Sequence, residues 1–431
     1  MNAPSTSTAR RRRVLVIGDS MSLAHVARAI VVARRLIREG HEVAFATGPA
    51  HLGLARQEGF DPLTVDCVPP EQALAAIRKG SHIFDLKTVD RYVRSDLDII
   101  DRVQPDLIIG DMRLSLNISC ELTGAEYWSI VSGYMTRYYS APETPPETFP
   151  AVRLLGQQIS RRIYPFLKGA ATRWFARNFN RARRRHRLQP VRDILDVISS
   201  PHRTLIADLP EYAPCTGLPR HFEYIGPLLW EPKCAEPEWI GDLDPDKPTV
   251  YVTLGSTGHE GEYTRMLVTL RDAGYQVLTT HGGRSGDCPA GVYAARYAPG
   301  SAMLRRSQAV VCHGGSLTIY QAVSHGVPVV GLPTFHDQET NMDRVTELGW
   351  GVEAPQRWRP ADLLSAVSHV QQPEFSARLA LAAKSLRRYV DSAEGTRLLG
   401  ETPSPACAVS SHRQQKERAD CELQPALSSS F

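Results

Sequence analysis

Apolar and polar positions along this chain follow two rhythms that keep trading places. Residues 14–18, VLVIG, form a short β-branched run, the signature of a strand buried on both faces. A helical period follows over 24–40. There Val26, Ile30, Ala33 and Ile37 fall near one face, and Gly40 stands where a C-terminal cap belongs. EVAFATG (42–48), PDLIIGD (105–111) and YWSIVSG (127–133) repeat the strand signature. Strand and helix alternating in this way predict a doubly wound parallel sheet.

The rhythm then breaks and restarts. Residues 140–165 carry Pro, Glu and Thr and read as a loop, whereas 161–187 read as a long, strongly basic helix. TVYVTLGS (249–256) is a strand, MLVTLRDAG (266–274) a helix with a glycine stop, and YQVLTTHGG (275–283) and AVVCHGG (309–315) are strands. VPVVGLP (327–333) is the last clear strand. The predicted organisation is α/β. A basic tail at 1–12 precedes a first domain at 13–230. A Pro- and acid-rich linker at 231–248 leads to a second domain at 249–400. The segment 401–431, Ser, Pro, Gln and charge with little periodicity, reads as a disordered tail.

Composition narrows the class. With 431 residues and 42% hydrophobic content the chain can build two cores. A net charge of +4 argues neither for nor against nucleic acid, but no recognition motif accompanies the basic residues, so no nucleic-acid partner is expected. No apolar run approaches the roughly 18–20 residues that span a bilayer. The start, MNAPSTSTARRRR, has no apolar signal core, so a cytoplasmic protein is expected. The eight cysteines show no CxxC spacing and read as plain thiols.

The chemistry concentrates at 310–341, VVCHGGSLTIYQAVSHGVPVVGLPTFHDQETN. A strand turns into a helix at His313-Gly314-Gly315-Ser316. Glycines there let backbone approach a ligand, and a helix start offers unpaired N–H groups to an anion. In an open α/β sheet this is the ligand-binding edge. A diphosphate against the helix start fits, as does a ligand-free glycine turn with a buried histidine.

Over about thirty residues the stretch resembles the donor-binding signature of GT-B glycosyltransferases, the nucleotide-sugar-dependent family that includes UDP-glycosyltransferases and macrolide glycosyltransferases. The match runs through His313, Gly314, Gly315, Thr318, Gly326, Val327, Pro328, Pro333, Asp337, Gln338 and Asn341. YIGPL (224–228), VTLGS (252–256) and YAPGSAML (297–304) fall in the family's order. The resemblance implies two Rossmann-like domains facing a cleft. His313, Gly314, Gly315, Ser316 and Thr318 would hold the diphosphate with Gly255, Ser256 and Thr257. Tyr297 and Ala298 would lie at the nucleobase, Gln321 at the ribose, and Asp337 and Gln338 at the sugar. Gln321 stands where the family often has Glu, and Leu317 where it has Asn, which leaves the nucleotide preference open.

In the first half, GDSMSLAHVARAIVVARRLIREGHEV (18–43) resembles the family's opening unit. His25 then takes the place of the general base and Asp111 that of its partner carboxylate, with Asp19 and Asp106 as competitors. Arg28 departs from the family's Pro. The implied reaction is inverting transfer of a sugar from a UDP- or dTDP-type donor to a hydroxyl of a small-molecule or lipid acceptor, as in secondary-metabolite or glycolipid biosynthesis. No metal or other cofactor is required. DLDPD (242–246) contains DxD but reads as linker. The segment 161–187 reads either as a solvated face or as a peripheral contact with an anionic membrane. A catalytically silent sugar-nucleotide-binding partner and a sugar-nucleotide epimerase remain the rival classes.

Overall fold

The computed structural model describes residues 11–145, 150–254, 260–281 and 288–390. The tail readings at 1–10 and 401–431, and the candidates Gly255, Ser256 and Thr257, lie outside the described residues. The first sheet contains β1 (Arg13–Gly18), β2 (Glu42–Thr47), β3 (Leu63–Thr64), β4 (Leu107–Asp111), β5 (Tyr127–Val131), β6 (Arg203–Ile206) and β7 (Phe222–Tyr224). Its order is β3-β2-β1-β4-β5-β6-β7. The second contains β8 (Thr249–Thr253), β9 (Gln276–Thr280), β10 (Tyr293–Ala295), β11 (Ala309–Cys312), β12 (Val329–Gly331) and β13 (Gly351–Glu353), in the order β10-β9-β8-β11-β12-β13. All strand pairs within both sheets are parallel.

Helices cover both faces of each sheet. On the first they are α1 (Leu23–Arg38), α2 (Leu52–Gln57), α3 (Pro70–Arg78), α4 (Leu86–Val103), α5 (Leu116–Thr123), α6 (Pro150–Arg185) and α7 (Ile194–Ile198). With the second come α8 (Glu260–Asp272), α9 (Gly300–Leu304), α10 (Ser316–Ser324), α11 (His336–Leu348), α12 (Pro360–His369) and α13 (Pro373–Val390). Central strands such as β4, LIIGD, are buried at every position, because helices lie on both sides and leave no face for water.

Three readings of the pattern need correction. Ile37 is 49% exposed, and Leu36 takes the inward position on α1 instead; the helix rotates 100° per residue, so the buried stripe drifts off a strict spacing. The segment read as loop to 165 is helical from Pro150, with a break at Gly156 (φ 74°). VPVVGLP is not the last strand, since β13 follows it. That strand is three residues long, too short for periodicity to register.

The two sheets share an apolar seam. Leu209, Tyr212 and Ala213, just after β6, belong to the same core as Met303, Ile319, Tyr320, Met342 and Trp350. Tyr212 stacks on Trp350 with centroids 5.5 Å apart. Arg344 of α11 donates from Nε to the Tyr212 carbonyl at 2.9 Å. Tyr320 donates to buried Asp208 at 2.9 Å and accepts from the Leu209 amide at 3.1 Å.

Candidate active site

Each sheet has one point where strand order reverses, between β1 and β4 and between β8 and β11. Ligands in such sheets collect outside the carboxyl ends of strands at these points. The candidate residues gather at both.

At the first point β1 ends in Gly18 and α1 starts after a short turn, with the Ser22 hydroxyl accepting from the Ala24 amide. His25 is therefore in the first turn of α1. Parallel register sets Gly18 beside Asp111, so the end of β4 faces the helix start. His25 Nδ1 lies 2.9 Å from Asp111 Oδ1. Asp111 is fully buried, and His25 is slightly open.

Arg28 follows one turn later on the same helix face. Its Nε donates to Asp111 Oδ2 and its Nη2 to Oδ1, each at 2.7 Å. Nη1 donates to the Ser132 hydroxyl at 3.1 Å. Burial works against the guanidinium charge, but Asp111 outweighs it and the Arg28 pKa is raised. Sequence reasoning saw Arg28 only as a departure; its spacing of three from His25 was the available signal.

The competing carboxylates point elsewhere. Asp19 is buried, accepts from the Met21 amide at 3.0 Å, and faces Arg113 Nη1 at 3.5 Å. Arg113 in turn donates to Asp96 at 2.8 Å. Desolvation raises the Asp19 carboxyl pKa. Asp106 precedes β4, at the opposite end of the sheet, and accepts from the Arg13 amide at 2.7 Å.

At the second point β11 leads into His313, Gly314, Gly315 and α10. Gly314 has φ +84°, and a Cβ there would stand 3.0 Å from the Gln338 carbonyl and 2.9 Å from Met342. A Cβ at Gly315 would stand 2.8 Å from His313 Nε2. The turn itself therefore requires Gly314, whereas a side chain at Gly315 would press only on the tip of the His313 ring. Gly315 is the N-cap and brings no side chain to cap the first turn, so backbone donors of Ser316 to Thr318 remain for an anion.

The remaining candidates surround this turn. Gln338 is buried and accepts from the Thr334 amide at 2.9 Å and hydroxyl at 3.0 Å. Asp337 opens into the cleft. Desolvation nevertheless raises its carboxyl pKa, with His25 among the groups that pull it down. His25 and Asp337 therefore lie within electrostatic range of each other. Tyr134, near Arg28 and Asp337, has its own hydroxyl pKa raised well above normal by burial. Gln321 donates through Nε2 to the Trp230 carbonyl at 2.8 Å and abuts Gly300. Leu317 packs on the first domain's core beside Ile225, Leu228 and Trp230. Ala298 is buried, and Tyr297 is exposed on the loop before α9. Asp244 of the DxD segment pairs with Lys247 in a turn away from the cleft.

Two Rossmann-like domains with a His–carboxylate pair at one switch point and a glycine turn into a helix start at the other match the GT-B class. The comparisons agree. Residues 274–387 match the family described as erythromycin biosynthesis protein CIII-like, C-terminal domain. A PGL/p-HBAD biosynthesis glycosyltransferase of Mycobacterium tuberculosis is 36% identical over 358 residues, 81% of this chain and 82% of that protein. A PGL/p-HBAD biosynthesis rhamnosyltransferase of Mycobacterium bovis is 34% identical over 380 residues, 86% and 84% of the two chains. Among solved structures, the glycotransferase of kitacinnamycin superposes with a TM-score of 0.68 at 19% identity, covering 90% of this chain and 98% of its own. Spinosyn rhamnosyltransferase complexed with thymidine diphosphate gives 0.61 at 17%, covering 87% and 96%. The chain has the GT-B fold and belongs to the family of these PGL/p-HBAD biosynthesis glycosyltransferases; it is a glycosyltransferase.

Proposed function

We propose that the chain moves a deoxyhexose of the rhamnose type from a dTDP-linked donor to a hydroxyl of a lipid or small-molecule acceptor, with inversion and with His25 as general base. The observation that carries this is the His25–Asp111 pair, 2.9 Å apart, at the β1–β4 switch point and within electrostatic range of Asp337. With its hydrogen on Nδ1 donated to Asp111, His25 presents the Nε2 lone pair to the acceptor hydroxyl. The acceptor oxygen attacks the anomeric carbon opposite the leaving diphosphate. The bond to the diphosphate breaks as the new glycosidic bond forms, through an oxocarbenium-like transition state. His313 and the first amides of α10 receive the charge that grows on the diphosphate. Asp337 and Gln338 hold sugar hydroxyls.

The dTDP preference rests on Gln321. A deoxyribose lacks the 2′-hydroxyl, so a carboxylate reaching two ribose hydroxyls has no second partner. The carboxamide already committed to Trp230 suits the simpler sugar. The relatives' names, which include a rhamnosyltransferase and a thymidine diphosphate complex, support the same reading.

A lipid acceptor also suits the outer face of α6. Ile159 and Phe166 are 51% and 79% exposed, and at helical spacing Arg162, Arg173, Arg177 and Arg184 share their side. No acidic residue occurs between Glu147 and Asp193. Such a stripe complements an anionic membrane surface. No helix among the described residues is long and apolar enough to cross a membrane.

The test is calorimetric titration with dTDP, UDP and GDP, in wild type and His313→Ala, followed by turnover of dTDP-rhamnose with phenolic-lipid acceptors in wild type and His25→Ala. Selective dTDP binding lost in His313→Ala, and turnover lost in His25→Ala, are expected. Binding of no nucleotide by folded protein overturns the proposal.

A further inference from the structure

The His25–Asp111 pair is not isolated, because Asp111 is shared. Its Oδ1 meets His25 Nδ1 at 2.9 Å and Arg28 Nη2 at 2.7 Å, and its Oδ2 meets Arg28 Nε at 2.7 Å. Arg28 Nη2 also lies 3.2 Å from His25 Nδ1. Nδ1 thus sits between an atom that only accepts and one that only donates. Which neighbour it answers decides the chemistry. A hydrogen on Nδ1, given to Asp111, leaves the Nε2 lone pair for a substrate. A lone pair on Nδ1, accepting from Arg28, puts the hydrogen on Nε2 and removes the base.

The geometry favours the first state. With the hydrogen on Nε2, two lone pairs would face each other across the 2.9 Å between Nδ1 and Oδ1. The two-point fork of Arg28 holds the carboxylate so that it cannot turn away from this confrontation. Ser132 holds the other arm of the fork. The guanidinium further opposes an imidazolium 3.2 Å away. The charged groups around His25 are Asp111 from the end of β4, Asp19 beyond β1, Asp337 from α11, and Arg28 from its own helix. Three of these are acidic. Arg28 is the cation that counters them.

We propose that Arg28 is a positioning residue for the transfer: it pins Asp111 and so holds His25 in the tautomer with the hydrogen on Nδ1. The proposal rests on the reading of His25 as base, but it is tested without turnover. Long-range proton–nitrogen correlation spectra of the imidazole rings distinguish the two neutral tautomers and the imidazolium. His25→Gln assigns the signal among the 14 histidines. Wild type shows a single Nδ1-protonated neutral ring near neutral pH. Arg28→Met shows a mixture of tautomers or an imidazolium at the same pH. Arg28→Lys keeps a cation without the fork and shows tautomer mixing without the added imidazolium. Should Arg28→Met fail to fold around an uncompensated Asp111, Arg28→Lys still decides the positioning role.

An unchanged His25 tautomer and titration in folded Arg28→Met or Arg28→Lys overturns the proposal. In turnover, kcat falls roughly 10- to 100-fold in Arg28→Met, less than the roughly 100- to 10,000-fold of complete loss of acid–base assistance because the base itself remains, while donor KM changes less than twofold. A wild type that turns over no donor would sink the base assignment and leave the tautomer result standing.

Discussion

Asn341 of α11 donates from Nδ2 to the carbonyl of Gly314 at 2.9 Å, and both groups are buried. The bond fixes the peptide that turns β11 into α10 and aims the first amides of that helix. Asn341→Leu leaves the Gly314 carbonyl without this partner, at a cost of about 1–3 kcal/mol. Thermal unfolding should show the loss, and donor titration should show weaker nucleotide binding. A variant with wild-type affinity would mean that the turn holds itself.

Gln321→Glu restores the family's usual residue but should not restore its usual behaviour. A carboxylate oxygen would replace Nε2 opposite the Trp230 carbonyl, 2.8 Å away, and two acceptors repel. Loss of roughly 1–3 kcal/mol of stability and no gain in UDP affinity over dTDP are expected from calorimetry on both proteins.

Glu39, the C-cap of α1, offers a pH test. Burial raises its carboxyl pKa to about 7 against the pull of Arg35 and Arg38. A carboxyl raised on folding contributes stability that is present below about pH 4.5 and lost as pH rises through 7. Glu39→Gln removes that loss. The variant should match wild type near pH 4 and exceed it by on the order of 1–2 kcal/mol at pH 8, allowing for partial exposure. Denaturant melts across this range check the sign; a difference that grows toward low pH would reverse it.

The α6 stripe predicts a salt-sensitive partition onto vesicles. Sedimentation with phosphatidylglycerol-containing vesicles should pull the protein down, and phosphatidylcholine alone should not. Arg173→Gln with Arg177→Gln should weaken the partition roughly tenfold or more, at about 1 kcal/mol per basic residue. Phe166→Ser should weaken it without changing nucleotide binding. Equal binding to both vesicle types would rule out the charge-based contact.

The α/β rhythm was legible because buried parallel strands are short continuous apolar runs, and β1, β4, β8 and β11 all announce themselves so. The short strands β3, β7, β10 and β13 did not, since two or three residues carry no period and no longer apolar run frames them as VPVVGLP frames β12. The glycine turn between β11 and α10 was legible because its parts lie within one βαβ unit, where spacing along the chain and geometry coincide.

The sequence by itself determined the two-domain α/β plan and the residues of the glycine turn between β11 and α10. Their information is local: glycine where φ is positive, a helix start after a strand, an apolar run between. Only the tertiary structure decided which carboxylate meets His25. Asp19, Asp106 and Asp111 are equivalent as residue types. The β1–β4 register brings Asp111 beside the α1 start, the Arg113 cluster claims Asp19, and chain direction leaves Asp106 at the far end of the sheet. The same register turned Arg28 from an unmatched position into the second partner of Asp111. Contacts between residues 83 apart depend on how strands align, and no spacing along the chain encodes that alignment.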